Sequence, residues 1–234
     1  MKNFLYQPKS GYCYNSDSIF LFSFIKRFPI KGKVLDVGSG VGILSILIKR
    51  YFECDITLID KQIELLRYAK LNFKINNFKA QFICKDFLDY DGESFDFIVS
   101  NPPFYSSNGI LSKDKVLNIA RYDMHLPLRD FLQKASKLLK NRGYLIFCYD
   151  AKRIDYILKY LKEFNIKAKE IRFMHSKIDR SSKVVLIAAQ KNSRSDVEIL
   201  PPFVVFENDS YSKEAKEAFK IANTHSIKGD FCVD

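Results

Sequence analysis

"KVLDVGSGVG" (Lys33–Gly42) joins two structural patterns within ten residues. Val34, Leu35 and Val37 form a short apolar run of the kind that makes a buried strand. Gly38, Gly40 and Gly42 then break that run. "ILSILIKRYF" (43–52) follows and has the length of a helix. Glycines at such a junction allow a tight turn and let the backbone approach a ligand closely. The helix after them presents free N–H groups and a positive dipole end. A dinucleotide fingerprint would read GxGxxG, but here the third glycine comes one residue early. Asp36 also sets a carboxylate beside the loop. That charge repels a pyrophosphate and suits an ammonium.

The same alternation runs outward from this point. "SIFLFSFI" (18–25) reads as a packed helix ahead of the first strand. It is too short to span a membrane and lacks the small-residue cleavage site of a signal peptide. "DITLID" (55–60) is a strand ending in an acid, and residues 61–76 carry Leu66, Ala69 and Phe73 on one helical face. "AQFICKDF" (80–87) and "FDFIVSN" (95–101) are two further strands. Leu128, Phe131, Leu132, Ala135, Leu138 and Leu139 recur at helical spacing after Pro127, and Asn141-Arg142-Gly143 is expected to end that helix, with Gly143 as C-cap. "YLIFCYD" (144–150), a helix marked by Ile154, Ile157, Leu158 and Leu161, and a closing strand pair over 166–191 complete the series.

Repeated strand–helix–strand order with near-continuous apolar strands implies an α/β fold. The expectation is a Rossmann-like, doubly wound, seven-stranded and mostly parallel sheet. All 234 residues are expected in one domain. Residues 1–30 would cover the cofactor, 31–191 form the catalytic core, and 192–234 make a C-terminal extension. Ligands of such sheets sit at the carboxyl ends of the strands, near the reversal of strand order.

Acids occupy three successive strand ends. Asp60 lies 22 residues after Gly38 and could accept two hydrogen bonds from ribose hydroxyls. Asp86 could reach the exocyclic amine of an adenine. Ammonium, ribose and adenine together describe S-adenosylmethionine. The competing reading is a generic glycine-rich turn with two helix-capping acids. The chain is similar to the class I S-adenosylmethionine-dependent methyltransferases in "VLDVGSGVG", "LID", "KDF" and "VSNPPF", in that order. The resemblance covers roughly residues 11–190. It implies that Asp36, Gly38 and Gly40 hold the methionine end, Asp60 the ribose and Asp86 the adenine. Lys61 and Phe87 would line the adenosine, with Asn101 also beside the cofactor.

"SNPPFYSS" (100–107) follows the fourth core strand. Two prolines cannot continue a central strand, so one reading is a plain stop with Phe104 in the core. The family resemblance implies a clamp for a planar amino group. The Asn101 side-chain oxygen and the Pro102 carbonyl would accept from the target NH₂, and Phe104 would stack on its ring. Relatives act on adenine N6, guanine N2 or glutamine side chains.

Lys+Arg 38 against Asp+Glu 27 gives a formal charge of +11, which fits an anionic partner. The alternative is genome bias, which 21 Phe and no Trp also suggest. Cysteines at 13, 54, 84, 148 and 232 form no CxxC, and His125, His175 and His225 are far apart. No metal site or disulfide framework is expected, and a reducing cytoplasm fits. Neither a membrane nor an oligomeric partner is expected.

"YQPKSGYCYNSDSIFLFSFI", "IARYDMHLPLRDFL", "HSKIDRSSKVVLIAAQK" and "YSKEAKEAF" resemble a narrower group, the small bacterial adenine-N6 methyltransferases of valine tRNA that act beside the anticodon. The resemblance implies tRNA as substrate. Arg121, Arg172, Lys177, Arg180 and Lys183 are candidate phosphate contacts, each with a solvated surface charge as its alternative. Tyr12 and Asp17 would fold over the cofactor, or Asp17 would only cap its helix. Residues 105–126 are long and polar enough to act as a lid. Guanine-N2 methylation of ribosomal RNA and glutamine methylation of a release factor stay open. So does a non-catalytic S-adenosylmethionine- or RNA-binding module.

Overall fold

The computed structural model describes residues 3–9, 13–102 and 126–230. Pro103, Phe104, Arg121, Tyr12 and nearly all of the 105–126 stretch lie outside them. The central sheet contains nine strands among the described residues. Strand β2 (Gly32–Val37) is flanked by β3 (Cys54–Asp60) and β5 (Phe95–Ser100), and β4 (Gln81–Cys84) lies beyond β3. On the other side β5 is followed by β6 (Leu139–Asp150), β8 (Val184–Lys191) and β7 (Ile166–His175). These seven strands are the expected ones. β8 is antiparallel to β6 and β7, and the other pairings among them are parallel. Two short strands, β9 (Glu198–Ile199) and β10 (Phe203–Val204), lengthen the β7 edge.

The inner strands are buried because helices cover both faces. Val34, Leu35, Ile98, Val99, Leu145 and Ile146 are all shut from solvent, which explains continuous apolar runs instead of alternation. Helix α1 (Ser16–Ile25) packs against α2 (Ile43–Tyr51), against β6 and against the C-terminal helix α6 (Lys213–Ala222). It is wrapped on all sides, so it is apolar all round. Its N-cap is Asn15, whose side chain accepts from the Asp17 amide. Asp17 is therefore not the cap.

One turn signal reads differently in three dimensions. Helix α4 (Leu128–Leu138) ends without Gly143, and Leu139 passes straight into β6. Arg142, at φ +65°, takes the left-handed conformation inside the strand, where the β5–β6 register shifts. Gly143 sits where a Cβ would lie 3.0 Å from the Asp96 and Lys140 carbonyl oxygens. The Asn-Arg-Gly sequence marks a strand irregularity and not a helix end.

The two ends of the chain meet. β1 (Asn3–Gln7) pairs in parallel with β13 (Thr224–Lys228). This ribbon lies on α3 (Ile63–Ile75). Fully buried Asn72 of α3 accepts from the Tyr6 amide and donates to the carbonyls of Tyr6 and Val41. One side chain thus ties the N-terminal strand to the glycine loop. No helix among the described residues is long and apolar enough to cross a membrane.

Candidate active site

The carboxyl ends of β2, β3 and β5 meet where the strand order reverses, and the glycine loop fills that junction. Gly38 donates to the Ile59 carbonyl, and Gly40 donates to Asp60 Oδ2 at 2.8 Å. Gly38 has φ +66°, and a Cβ there would meet nothing within 4 Å. It faces open space. Gly42, at φ +82°, is different: a Cβ would lie 3.2 Å from Leu58 and 3.3 Å from Ala69. The first glycine leaves room for a ligand, and the third lets α2 and α3 pack.

Asp36 is buried at the floor of this junction and accepts from Ser45 Oγ at 2.6 Å. Burial pushes its carboxyl up to about 7, with the Asp60 charge adding to the effect and the Ser45 bond opposing it. Asp60 is also buried, and burial raises its carboxyl too. Its oxygens are held by the Gly40 and Gln62 amides, which partly offset that cost. Two carboxyl groups thus sit out of water at the glycine loop, Asp36 lining a small hollow there and Asp60 eased in part by the Lys61 charge. Ser39 Oγ and Gln62 Oε1 flank the same loop, buried and without a partner among the described residues. Unsatisfied buried polar atoms are costly, and Ser39 lines a small cavity with Asp36 and Gly38, where a polar ligand group with a positive charge would meet them. The residues present fit the ammonium and hydroxyls of S-adenosylmethionine.

Asp86 accepts from the Leu88 amide and caps the short 3-10 turn Phe87–Asp89. Lys61 Nζ stands 3.7 Å from its Oδ2, bridging the ends of β3 and β4. The Phe87 ring is buried in the core against Phe131, with centroids 5.8 Å apart. The structure does not bring that ring to the hollow.

Asn101 follows β5 directly. A small cavity is lined by Asp36, Gly38, Ser39 and Asn101 together with Tyr14 and Ser18. The glycine loop and the first residue of "NPPF" therefore share one space. Asn101 Nδ2 donates to Ser18 Oγ at 3.0 Å, and the Cys148 thiol donates to Asn101 Oδ1 at 2.9 Å. Burial holds the Cys148 thiol well above its ordinary pKa, so it stays a proton donor. Pro102 behind Asn101 is buried.

The basic candidates divide into two kinds. Arg172 makes a bidentate pair with Glu214 at 2.6 and 2.8 Å, donates to the Pro201 carbonyl and lies over the Phe203 ring. It clasps the C-terminal segment to β7, and the structure does not place it with the other three. Lys177, Arg180 and Lys183 lie in the β7–β8 loop and line a cavity of about 1000 Å³ together with Asp17. Burial raises the Asp17 carboxyl, and the Asn15 bond offsets part of that.

Sequence reading missed Ser45, Asn72, Ser18, Cys148 and Lys152. Ser45 and Asn72 left a signal, being lone polar residues on apolar helix faces. Ser18 and Cys148 left none, because their meeting at Asn101 spans 83 and 47 residues. Among the described residues, no group of His, Cys, Asp and Glu side chains stands where it could hold a metal ion.

A family model described as "Methyltransferase small domain" matches residues 15–173, more than half of the chain. A tRNA1(Val) (adenine(37)-N6)-methyltransferase of Flavobacterium johnsoniae is 23% identical over 214 residues, covering 89% of this chain and 91% of that protein. A ribosomal RNA small subunit methyltransferase C of Buchnera aphidicola is 29% identical over 151 residues, covering 62% of this chain and 40% of that one. Among solved structures, an S-adenosylmethionine-dependent methyltransferase of Clostridium acetobutylicum superposes with a TM-score of 0.56 at 14% identity, covering 78% of this chain and 93% of that one. At that identity the likeness is one of fold.

Proposed function

The chain belongs to the methyltransferase small-domain family, whose cofactor is S-adenosylmethionine, and on that premise we propose that it methylates the N6 amino group of an adenine in tRNA. The observation that carries this reading is the placement of Asn101 in one hollow with Asp36, Gly38 and Ser39. An amine acceptor and an ammonium acceptor face the same space. The base is read as adenine because of the Flavobacterium relative, which spans nearly the whole chain.

Asp36 would hold the ammonium, the Gly38–Gly40 backbone and Ser39 the methionine end, Asp60 and Gln62 the ribose, and Asp86 with Lys61 the adenine edge. The bound cofactor supplies an electrophilic methyl on a sulfonium. The chain's own work is to orient the acceptor. An aromatic amine is a poor nucleophile because its lone pair is delocalised into the ring. Asn101 Oδ1 accepts one amine hydrogen with the lone pair that Cys148 leaves open. Ser18 fixes which way the amide points, and the Pro102 carbonyl takes the second hydrogen. Two acceptors on the NH₂ favour tetrahedral nitrogen and stabilise positive charge where it develops. Direct displacement depends mainly on such positioning.

The test supplies labelled S-adenosylmethionine with total tRNA, ribosomal subunits or a release factor, then digests the labelled product. Label in N6-methyladenosine from tRNA is expected. The Buchnera relative favours a second reading, guanine N2 in ribosomal RNA. Label in N2-methylguanosine or in protein would replace the adenine reading.

A further inference from the structure

The larger cavity lies one residue of α1 away from the amine clamp. Ser16 and Asp17 line it, and Ser18, the next residue, bonds Asn101. One wall carries four cations: Lys177, Arg180 and Lys183 of the β7–β8 loop, and Lys152 after β6. The carboxyl groups of Asp17 and Asp150 line the same cavity. Lys177 is 3.8 Å from Asp209. No described carboxylate pairs with Lys152, Arg180 or Lys183.

The same cavity is lined by Phe206 and Tyr211 of a hairpin of β11 (Phe206–Glu207) and β12 (Ser210–Tyr211), turned by Asn208 at φ +54° and joined to the start of the β7–β8 loop by the Phe206 amide, which donates to the Ser176 carbonyl. Phe206 and Tyr211 face each other across it, 4.8 Å apart and 22° from parallel. Tyr211 also packs on Phe219 of α6 at 4.9 Å, so its ring is braced from below. It is nonetheless 41% exposed. On its far side lies a shallower groove of about 450 Å³ with Lys213, Lys216 and Lys220, balanced in part by Glu207 and Glu217. A braced aromatic face thus sits between two hollows that both carry cations.

That alternation matches a chain with planar and anionic groups in turn. A free nucleotide would fill only one hollow. An anionic membrane surface is broad and would not enter two separate hollows. We propose that the Phe206–Tyr211 hairpin is a stacking platform for a nucleobase flanking the methylated one, with the adjoining phosphates held by Arg180 and Lys183. The proposal rests on the RNA reading above and adds a second binding site to it. Stacking on such a ring contributes about 1–3 kcal/mol per base, and phosphate contacts make binding depend on salt.

The chain contains no Trp, so Tyr211→Trp installs a single indole that reports stacking by its fluorescence. The probe is a labelled tRNA anticodon stem-loop, titrated by anisotropy, with S-adenosylmethionine affinity and thermal unfolding as controls. Tyr211→Trp is expected to bind RNA within about threefold of the parent and to be quenched by RNA but not by cofactor. Tyr211→Leu keeps packing volume on Phe219 and is expected to weaken RNA binding roughly 5- to 100-fold, with cofactor affinity unchanged. Normal RNA binding by Tyr211→Leu, or an unquenched Trp in an RNA-bound complex, overturns the platform while leaving the RNA reading intact. A parent protein that binds no RNA overturns both. Should Tyr211→Leu unfold, the quenching of Tyr211→Trp decides alone.

Discussion

The two halves of the sheet use charge in opposite ways. On the β2–β3–β4 side two carboxyl groups are buried at the strand ends, Asp60 held by the Gly40 and Gln62 amides and Asp36 by the Ser45 hydroxyl. On the β6–β8–β7 side the charges are exposed cations on a loop, most without a partner carboxylate. A buried carboxylate is costly until a cation answers it, so the first half is poised for one small ligand of defined charge. Exposed lysines and arginines cost little and attract a polyanion over a distance. Asn101 lines the small cavity of the first half and bonds Ser18, the neighbour of Asp17, which lines the cationic cavity.

Breaking that link should have the largest effect. Asn101→Ala is expected to lower kcat by about 10²–10³-fold with little change in cofactor affinity by calorimetry. An equal loss of cofactor binding would place Asn101 wholly in the cofactor half. Asp36→Asn removes the buried charge itself and should weaken cofactor binding by roughly ten- to a hundredfold, the range of a lost charged hydrogen bond.

Asp36 also makes a pH prediction. In the folded chain it loses its proton near about 7, whereas an unfolded aspartate does so at about pH 4. Between those values the folded form holds the extra proton, so the cofactor-free protein loses stability as pH rises through that window. Denaturant titrations from pH 4 to 8 should show this fall in the parent relative to Asp36→Asn. Cofactor affinity of the parent should rise over the same range, since the ammonium favours the ionised acid. A parallel response of parent and variant would mean that Asp36 is ionised throughout.

The glycines sharpen the same contrast within one loop. Gly42→Ala combines a positive φ with contacts at 3.2 and 3.3 Å and should cost about 1–2 kcal/mol or more, or several degrees in Tm. Gly38→Ala meets no atom but carries the same positive-φ cost, about 1–2 kcal/mol, at φ +66°, so it should destabilise less than Gly42→Ala and lose cofactor affinity in addition. On the cationic side effects are smaller and separable. Arg180→Ala should weaken tRNA binding a few-fold and reduce the salt slope by about one. Arg172→Ala should lower Tm by a few degrees and leave that slope unchanged, because its partners are Glu214 and Phe203. A reduced slope in Arg172→Ala would return it to the RNA surface.

The cofactor half was legible because its groups come from strand ends and the turns just after them. Asp36, Gly38 and Asp60 each follow a run of buried residues, Asp86 follows the half-exposed edge strand β4, and the chain order reports their spatial order. The acceptor half was not. Ser18, Asn101 and Cys148 meet from three distant segments, and no local pattern marks that meeting. Arg172 looked like its neighbours in the chain, yet its carboxylate lies 42 residues onward. Asn141-Arg142-Gly143 misled for a different reason. A left-handed residue serves a helix end and a strand irregularity equally well, and only pairing with β5 distinguishes them.

From residue types and spacing alone came the α/β class, the strand series, and the glycine loop with its acids; the reading of "NPPF" as an amine clamp came from the family resemblance. The class, the strands and the loop follow from local rules: strand burial, turn geometry and the sign of a charge. Tertiary structure alone decided which charges are buried, which cations are already paired, and that the C-terminal hairpin sets an aromatic pair beside the β7–β8 loop. Burial and pairing are properties of what surrounds a side chain, and the surroundings here are supplied by segments far away in sequence.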